Sequence, residues 1–213
     1  MSEDAKIIAD QYPNSEQYNS GLYMDKDRWV SYFWQTKLVK DLLKSGKILE
    51  IGVGSSVVTD YFRKNYDLLT VDINKELNPD YTCSVEDLSV FPDNSFDLAV
   101  CAEVLEHLPF EKFEASILEL KRVSKKYIIV SLPYWGYTFG LKLKLPLLGK
   151  RVLKFKISGT KKHLFNGQHY WEIGKKGFPG RRIIEKFTTC GLKMKKSFWD
   201  IDDPYHYYFI LEK

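Results

Sequence analysis

The sequence has few cysteines and no long hydrophobic run. Its 213 residues include three cysteines, Cys83, Cys101 and Cys190, and no pair has Cys-x-x-Cys spacing. This scattered, odd set excludes a disulfide framework and a cysteine zinc site, and it is typical of reduced thiols in a cytosolic protein. No run approaches the roughly 18 apolar residues of a membrane span, and the acidic N-terminus shows no secretory segment. We therefore predict a cytoplasmic protein.

Acidic residues are missing from one stretch of the chain. The net charge of +4 is modest, but residues 142–162 contain no Asp or Glu among their many lysines. A solvated basic face, an anionic acceptor, a membrane surface and nucleic acid all remain open as explanations. We expect a weak contact with anionic membranes at most, which would make the protein peripheral to the membrane.

The order of apolar runs and helical segments predicts the fold class. Strands are expected at residues 48–51, 67–72, 81–85, 95–102 and 126–132, with helices at 27–44, 56–64 and 110–124. Asp27 would cap the first helix, and its apolar residues near one face would be Trp29, Phe33, Leu38 and Leu42. This alternation of strands and helices predicts an α/β protein with a doubly wound parallel sheet. The pattern changes after Pro133, and residues 141–145 alternate as a hairpin strand would. A helix at 178–190 and strands at 192–199 and 205–211 complete the chain.

Two acids and two glycines mark a ligand site at the ends of the first two strands. Glu50, Gly52 and Gly54 follow one another where the first strand enters a turn, and Asp72 ends the second strand. Glycine lets backbone approach a ligand closely, and an acid at the second strand tip can accept ribose hydroxyls. Val57 stands where a dinucleotide fingerprint has its third glycine. The turn therefore favours a nucleoside with a positively charged group over NAD.

Three motifs carry a family resemblance. They are Glu-x-Gly-x-Gly at 50–54, a segment ending in Pro-Asp-Asn-Ser-Phe-Asp at 87–97, and Glu-Val-Leu-Glu-His-Leu at 103–108. Residues 46–132 resemble the class I S-adenosylmethionine-dependent methyltransferases that act on small molecules. The resemblance implies S-adenosylmethionine as cofactor and a Rossmann-like, mostly parallel seven-stranded sheet. Its strand order would be 3-2-1-4-5-7-6, with an antiparallel last strand.

The resemblance also implies roles for single residues. Glu50, Gly52 and Gly54 would surround the methionine part of the cofactor, and Asp72 would bind the ribose. Asp87 and the Leu88 backbone would hold the adenine, while main-chain carbonyls from Cys101 to Glu103 would meet the cofactor's amino group. Ser56 stands where many relatives have a third glycine, and a serine there can cap the next helix.

An acceptor pocket is expected after the fourth and fifth strands, because ligands of open α/β sheets bind outside the carboxyl ends of the strands. His169 is the candidate catalytic base or hydrogen-bond partner, although a hydrogen-bonded turn that anchors the insertion explains its segment equally well. The pocket candidates are His107, Tyr134, Trp135, Tyr137 and Tyr170. A zinc site of His163, His169 and Glu172 would lack an obvious fourth ligand, so no metal is assigned.

The whole chain reads as one methyltransferase domain. Residues 1–45 would form an N-terminal arm and helix, 46–132 the cofactor-binding half, 133–176 an insertion that covers the acceptor, and 177–213 the last helix and strands. The aromatics of the arm either cover the cofactor or pack on the sheet. They are Tyr12, Tyr18, Tyr23, Trp29 and Trp34.

The leading functional hypothesis is S-adenosylmethionine-dependent methyl transfer to a small-molecule or glycan- or lipid-linked acceptor. The alternatives are a non-catalytic S-adenosylmethionine-binding subunit and a basic protein that binds membranes or RNA on the same fold. No Asn-Pro-Pro-Tyr element follows the fourth strand, which disfavours methylation of nucleic acid bases. The oligomeric state is left open.

Overall fold

Seven strands form one central sheet in the order β3-β2-β1-β4-β5-β9-β8. The structure, a computed structural model, describes Tyr18, residues 25–146 and residues 149–213. The strands of the sheet are β1 (Lys47–Ile51), β2 (Asp67–Asp72), β3 (Tyr81–Thr82), β4 (Phe96–Ala102), β5 (Ser124–Pro133), β8 (Lys193–Trp199) and β9 (His206–Glu212). β9 pairs antiparallel with β5 and β8, while the other pairs are parallel. The predicted order 3-2-1-4-5-7-6 with an antiparallel last strand is confirmed.

Helices cover both faces of this sheet. They are α1 (Lys26–Leu42), α2 (Val57–Asn65), α3 (Phe113–Val123) and α4 (Gly180–Thr189). Side chains alternate across a strand, so Ile48 of β1 packs in the cluster under α1 and α2, and Leu49 packs in the cluster under α3 and α4. Both side chains are fully buried. Covering both faces explains why β1 and β4 are nearly continuous apolar runs.

The first helix differs from its prediction in cap and in buried face. Asp25, not Asp27, is the N-cap, and its side chain accepts a hydrogen bond from the Arg28 amide at 2.8 Å. Ser31 and Gln35 face inward beside Leu38 and Val39. The predicted apolar face is wrong in its first turns, because Trp29 and Phe33 are about half exposed, at 50% and 54%.

Other element boundaries move by a few residues. A short 3₁₀ turn at Phe110–Lys112 precedes α3, so the helix begins later than expected. β3 keeps two of the five residues predicted for it. None of the helices in the described ranges is long and apolar enough to cross a membrane.

The region after β5 forms a separate two-stranded antiparallel hairpin, β6 (Tyr137–Leu145) and β7 (Gly149–Ile157). Three of its lysines, Lys142, Lys154 and Lys156, contact the rest of the protein. Lys142 pairs with Asp202, and Lys156 donates to the Tyr134 carbonyl at 2.8 Å and lies 4.0 Å from the centre of the Tyr134 ring. Burial lowers the pKa of Lys156 to about 8. The hairpin therefore rests on the loop between β8 and β9 through its basic face.

Candidate active site

A cleft of about 430 Å³ lies at the carboxyl ends of β1, β2 and β4. Parallel strands end together at this edge, so residues distant in sequence meet there. The cofactor-site candidates that line it are Glu50, Gly52, Gly54, Asp72 and Glu103, and it also receives His107 and His169. These seven predicted site residues are therefore brought together in one cavity.

The turn after β1 needs glycine at its first position. Gly52 has φ +86°, and a Cβ there would lie 2.6 Å from Val104 Cγ2. The loop after β4 thus touches the backbone of the turn. Ser56 takes a left-handed conformation (φ 62°) and its side chain makes no capping hydrogen bond to α2. The predicted serine cap is wrong, because the residue is used to complete the turn.

Two carboxyl groups of this turn are electrostatically unusual. Glu50 is 4% exposed, and its Oε2 has no hydrogen-bond partner among the described residues. Burial raises its pKa to about 8, with Asp72 adding to the shift. Asp72 accepts hydrogen bonds from the Val53 and Asn74 amides, each at 2.8 Å, and burial raises its pKa too. A buried carboxyl without a partner favours a cationic or hydrogen-bond-donating ligand beside it.

The side of the cleft next to β3 differs from the predicted adenine site. Asp87 is exposed, and its carboxylate accepts the Ser89 amide at 3.1 Å, outside the cleft. Leu88 is fully buried in the core. Neither residue lines the cavity; Ser84 and Val85 do. The side chain of Asp87 is turned away because the chain makes a turn from Ser84 to Asp87.

At the end of β4 the chain changes direction. Cys101 is fully buried and does not line the cleft. Glu103 has φ +54°, and its carboxylate accepts the Ser131 hydroxyl at 2.8 Å. The Nε2 of His206 lies 3.8 Å from the other oxygen. His206 in turn bonds buried Asp203 at 2.7 Å. Ser131 thus fixes the Glu103 side chain at the cleft wall.

A second group of titratable side chains lies beyond Glu103. Glu106 is fully buried, and both of its carboxylate oxygens lack a hydrogen-bond partner within the described ranges. Burial, and secondarily Glu103, raises its pKa well above the ordinary value. The His107 ring is 4.9 Å from the His169 ring. Burial lowers the pKa of His107 to about 4, so this imidazole is neutral at pH 7.

His169 is held by a carboxylate. Its Nδ1 lies 3.1 Å from Glu172 Oε1, and although burial opposes it, the hydrogen bond from His169 keeps the pKa of Glu172 low. The ionised Glu172 accepts, so Nδ1 of His169 donates this hydrogen bond. His163 Nε2 donates to the His169 carbonyl at 2.7 Å. The sequence-based grouping of His163, His169 and Glu172 is thus a hydrogen-bonded chain.

Four predicted pocket residues lie outside the cleft lining: Tyr134, Trp135, Tyr137 and Tyr170. The chain turns away after β5 because Tyr134 pairs with Ile173 and the Trp135 amide donates to the Ile173 carbonyl at 2.8 Å. Tyr170 is 39% exposed and packs against Phe165. The insertion reaches the cleft through Asn166, Gln168 and His169.

The aromatic residues of the N-terminal region lie in different places. Tyr18 lines the cleft, and Tyr32 bonds Ser55 in the glycine turn at 2.7 Å. Trp34 packs edge-on against Phe198 of β8, with ring centres 4.8 Å apart. Tyr12 and Tyr23 lie outside the described residues. Cleft-lining residues that the sequence did not indicate are Arg28, Ser84, Glu106 and Tyr205.

Part of the chain matches a known protein family. Residues 49–128, from β1 into β5, match the family described as "Methyltransferase domain". This match, together with the fold of the sheet, supports a class I S-adenosylmethionine-dependent methyltransferase. No curated protein sequence gives a significant match to this chain.

Solved methyltransferases share its fold along nearly the whole chain. The 1,6-didemethyltoxoflavin-N1-methyltransferase of Burkholderia thailandensis is 15% identical with a TM-score of 0.64, covering 99% of this chain and 89% of its own. The N-methyltransferase NodS of Bradyrhizobium japonicum is 10% identical, with a TM-score of 0.62 and coverage of 98% and 97%. A methyltransferase of Aquifex aeolicus is 13% identical, with a TM-score of 0.60 and coverage of 94% and 99%. At these identities the likeness is one of fold.

Proposed function

We propose that this methyltransferase transfers a methyl group from S-adenosylmethionine to a small-molecule acceptor bound in the cleft. The observation that carries the proposal is the turn itself. Gly52 exposes its backbone to the cleft while Val104 packs behind it. The Oε2 atom of Glu50, which has no hydrogen-bond partner among the described residues, lies in the same cleft. Such a site accepts a ligand that has both donor groups and positive charge.

The residues present fit the cofactor. Glu50 and the glycine turn would hold its methionine part. Asp72 would accept hydrogen bonds from the ribose hydroxyls through lone pairs that the Val53 and Asn74 amides do not use. Ser84 and Val85 would replace Asp87 and Leu88 at the adenine, since they line the cleft. When bound, the sulfonium supplies an electrophilic methyl group. The protein then has to orient the acceptor and exclude water.

We assign the other end of the cleft to the acceptor. His107 and His169 converge there with Gln168, and Glu172 fixes the ring of His169. The toxoflavin-precursor methyltransferase was crystallised with 1,6-didemethyltoxoflavin and S-adenosylhomocysteine. A fold shared with such an enzyme supports a small-molecule acceptor here.

We expect S-adenosylmethionine and S-adenosylhomocysteine to bind in isothermal titration calorimetry, and NAD not to bind. Asp72→Ala should weaken S-adenosylhomocysteine at least tenfold, because charge-assisted hydrogen bonds to the ribose are worth about 1.5–3 kcal/mol each. Asp67→Ala, at the exposed start of β2, is the matched control and should bind normally. Tight NAD binding without a response to either adenosyl ligand would contradict the proposal.

A contact with anionic membranes is a second proposal, and it rests on the hairpin. The outer face of the hairpin carries the exposed apolar residues Tyr137, Phe139, Leu141, Leu143, Leu153, Phe155 and Ile157. Its register places Phe139 opposite Phe155 and Leu141 opposite Leu153. The exposed Lys144 and Arg151 lie at the same end of the hairpin, and no acid occurs in residues 142–162. An apolar face with a basic edge suits an anionic bilayer.

Replacing Leu153 and Phe155 together with glutamate should abolish sedimentation with phosphatidylserine-containing vesicles. Each apolar side chain buried in lipid contributes about 1.5–3 kcal/mol, so we expect at least a tenfold loss. Leu118→Glu, at a position 48% exposed on α3, is the control. Binding that the double variant leaves intact, or no binding by the native protein, would remove the membrane proposal. A dimer that the double variant dissociates would instead assign the face to a second copy.

A further inference from the structure

Three side chains at the acceptor end of the cleft can act as a set of metal ligands. Glu106, His107 and His169 each offer one ligand atom, and these atoms lie within 4.8 Å of one another. Ligands that bind a divalent ion at about 2.0–2.2 Å are at most about 4.4 Å apart. The set therefore needs to close by about 0.4 Å to hold an ion.

Of these three side chains, Glu106 has the fewest hydrogen-bond partners. It is fully buried at the cleft wall, and both carboxylate oxygens have no hydrogen-bond partner within the described parts of the chain. Buried carboxylates are normally paired or coordinate a metal, because an isolated one is costly. Glu103 and Glu172 are nearby acids that disfavour the charged form of Glu106, and Arg28 is a cation that opposes them more weakly. A cation bound to Glu106 would offset the cost of burying its carboxylate.

The histidines are held as metal-binding histidines usually are. Nδ1 of His169 donates to the carboxylate of Glu172 at 3.1 Å, and Nδ1 of His107 lies 3.1 Å from the Gln168 carbonyl. The carboxylate partner on Nδ1 of His169 fixes the tautomer in which the other ring nitrogen is the usual metal ligand. The two segments are tied together, because the Tyr170 amide donates to the Glu106 carbonyl at 2.9 Å.

We propose that Glu106, His107 and His169 form a binding site for a divalent ion of the Mn²⁺ to Zn²⁺ series. Two imidazoles and one carboxylate suit these ions, whereas Ca²⁺ prefers six to eight oxygen ligands. Three protein ligands leave coordination positions open towards the cleft. An acceptor oxygen, from a hydroxyl or a carboxylate, is the group that can fill them. In the ion-loaded protein His169 is a ligand, which replaces the role of general base predicted from the sequence.

Mn²⁺ is the probe for this site, because thiols bind it weakly and the chain has cysteines. Calorimetric titration of tag-free protein with Mn²⁺ should give one site per chain, without competition from Ca²⁺. Glu106→Gln, which keeps the shape of the side chain, and His169→Ala should each weaken Mn²⁺ at least tenfold. Glu172→Gln, which acts through His169, should weaken it about 10- to 100-fold. Glu111→Gln, an exposed neighbour, should change nothing.

S-adenosylhomocysteine binding, measured without metal, keeps this proposal separate from the proposed function. Variants that still bind the nucleoside but lose Mn²⁺ support the site. The site is overturned if the native protein does not bind Mn²⁺, or if Glu106→Gln and Glu111→Gln bind it equally. Mn²⁺ binding without S-adenosylhomocysteine binding would retain the metal site and reject the cofactor.

Discussion

Glu50→Gln should stabilise the ligand-free protein at pH 8 and weaken its binding of S-adenosylmethionine. Burial raises the pKa of Glu50 from 4.5 to about 8. Between these two values the folded state keeps a proton that the unfolded state loses. The free energy of unfolding therefore falls as the pH rises through this window and levels off above about 8. At about 1.4 kcal/mol per pKa unit, the cost at pH 8 is on the order of 2–5 kcal/mol.

Glutamine removes this titration but keeps the shape. Urea denaturation of cofactor-free protein should show the variant more stable than the native protein at pH 8 and similar to it at pH 4.5. Glu76→Gln, at an exposed acid, should shift stability by less than about 0.5 kcal/mol at either pH. Equal stability of the Glu50→Gln variant and the native protein at pH 8 would show that Glu50 is not held protonated.

The same residue links stability to function. A carboxyl that destabilises the empty fold is typical of a site whose charge is used by a ligand. If the positive charge of S-adenosylmethionine lies beside Glu50, binding near pH 7 releases its proton. The binding enthalpy should then depend on the ionisation enthalpy of the buffer, and this dependence should vanish in the Glu50→Gln variant.

The sequence predicts the position of some cleft residues from local features. Glu50, Gly52 and Asp72 each stand at the end of an apolar run, and the ends of parallel strands meet at one edge. Their place in the cleft follows from the strands alone. The strand order was predicted from the family resemblance, and the positions of β8 and β9 from periodicity.

Asp87 shows why a motif does not fix the direction of a side chain. Residues 84–91 make two consecutive turns, in which the Asp87 amide donates to the Ser84 carbonyl and the Phe91 amide to the Leu88 carbonyl. These turns send Leu88 into the core and Asp87 to solvent. Turn geometry over so few residues depends on what packs beneath it, which periodicity does not report.

Glu106 and His169 could not be paired from the sequence because 62 positions separate the two residues along the chain. Their meeting depends on the segment around Trp171, a fully buried side chain whose indole donates to the Leu108 carbonyl at 3.1 Å. That anchor brings residues 166–169 over the loop after β4. The aromatics directly after β5 were placed by topology, and they miss the cleft because the chain pairs with Ile173.

Gly52→Val should abolish binding of S-adenosylhomocysteine, with a loss of at least a hundredfold. Two causes act together. The residue has φ +86°, and a Cβ there would lie 2.6 Å from Val104 Cγ2. A β-branched residue is strongly disfavoured at positive φ, and it would also occupy space that the ligand needs against the backbone.

Gly159→Val is the control variant, because it introduces the same backbone strain away from the cofactor site. Gly159 has a similar φ of +83°, but a Cβ there meets nothing within 4 Å. That variant should be destabilised by about 1–3 kcal/mol and still bind S-adenosylhomocysteine. The double variant Gly52→Ala/Val104→Ala removes the contact behind the turn. Any loss of affinity that remains is then caused by the new side chain on the side of the turn that faces the ligand. If calorimetry shows Gly52→Val and Gly159→Val binding the nucleoside equally well, the turn after β1 is not the cofactor site.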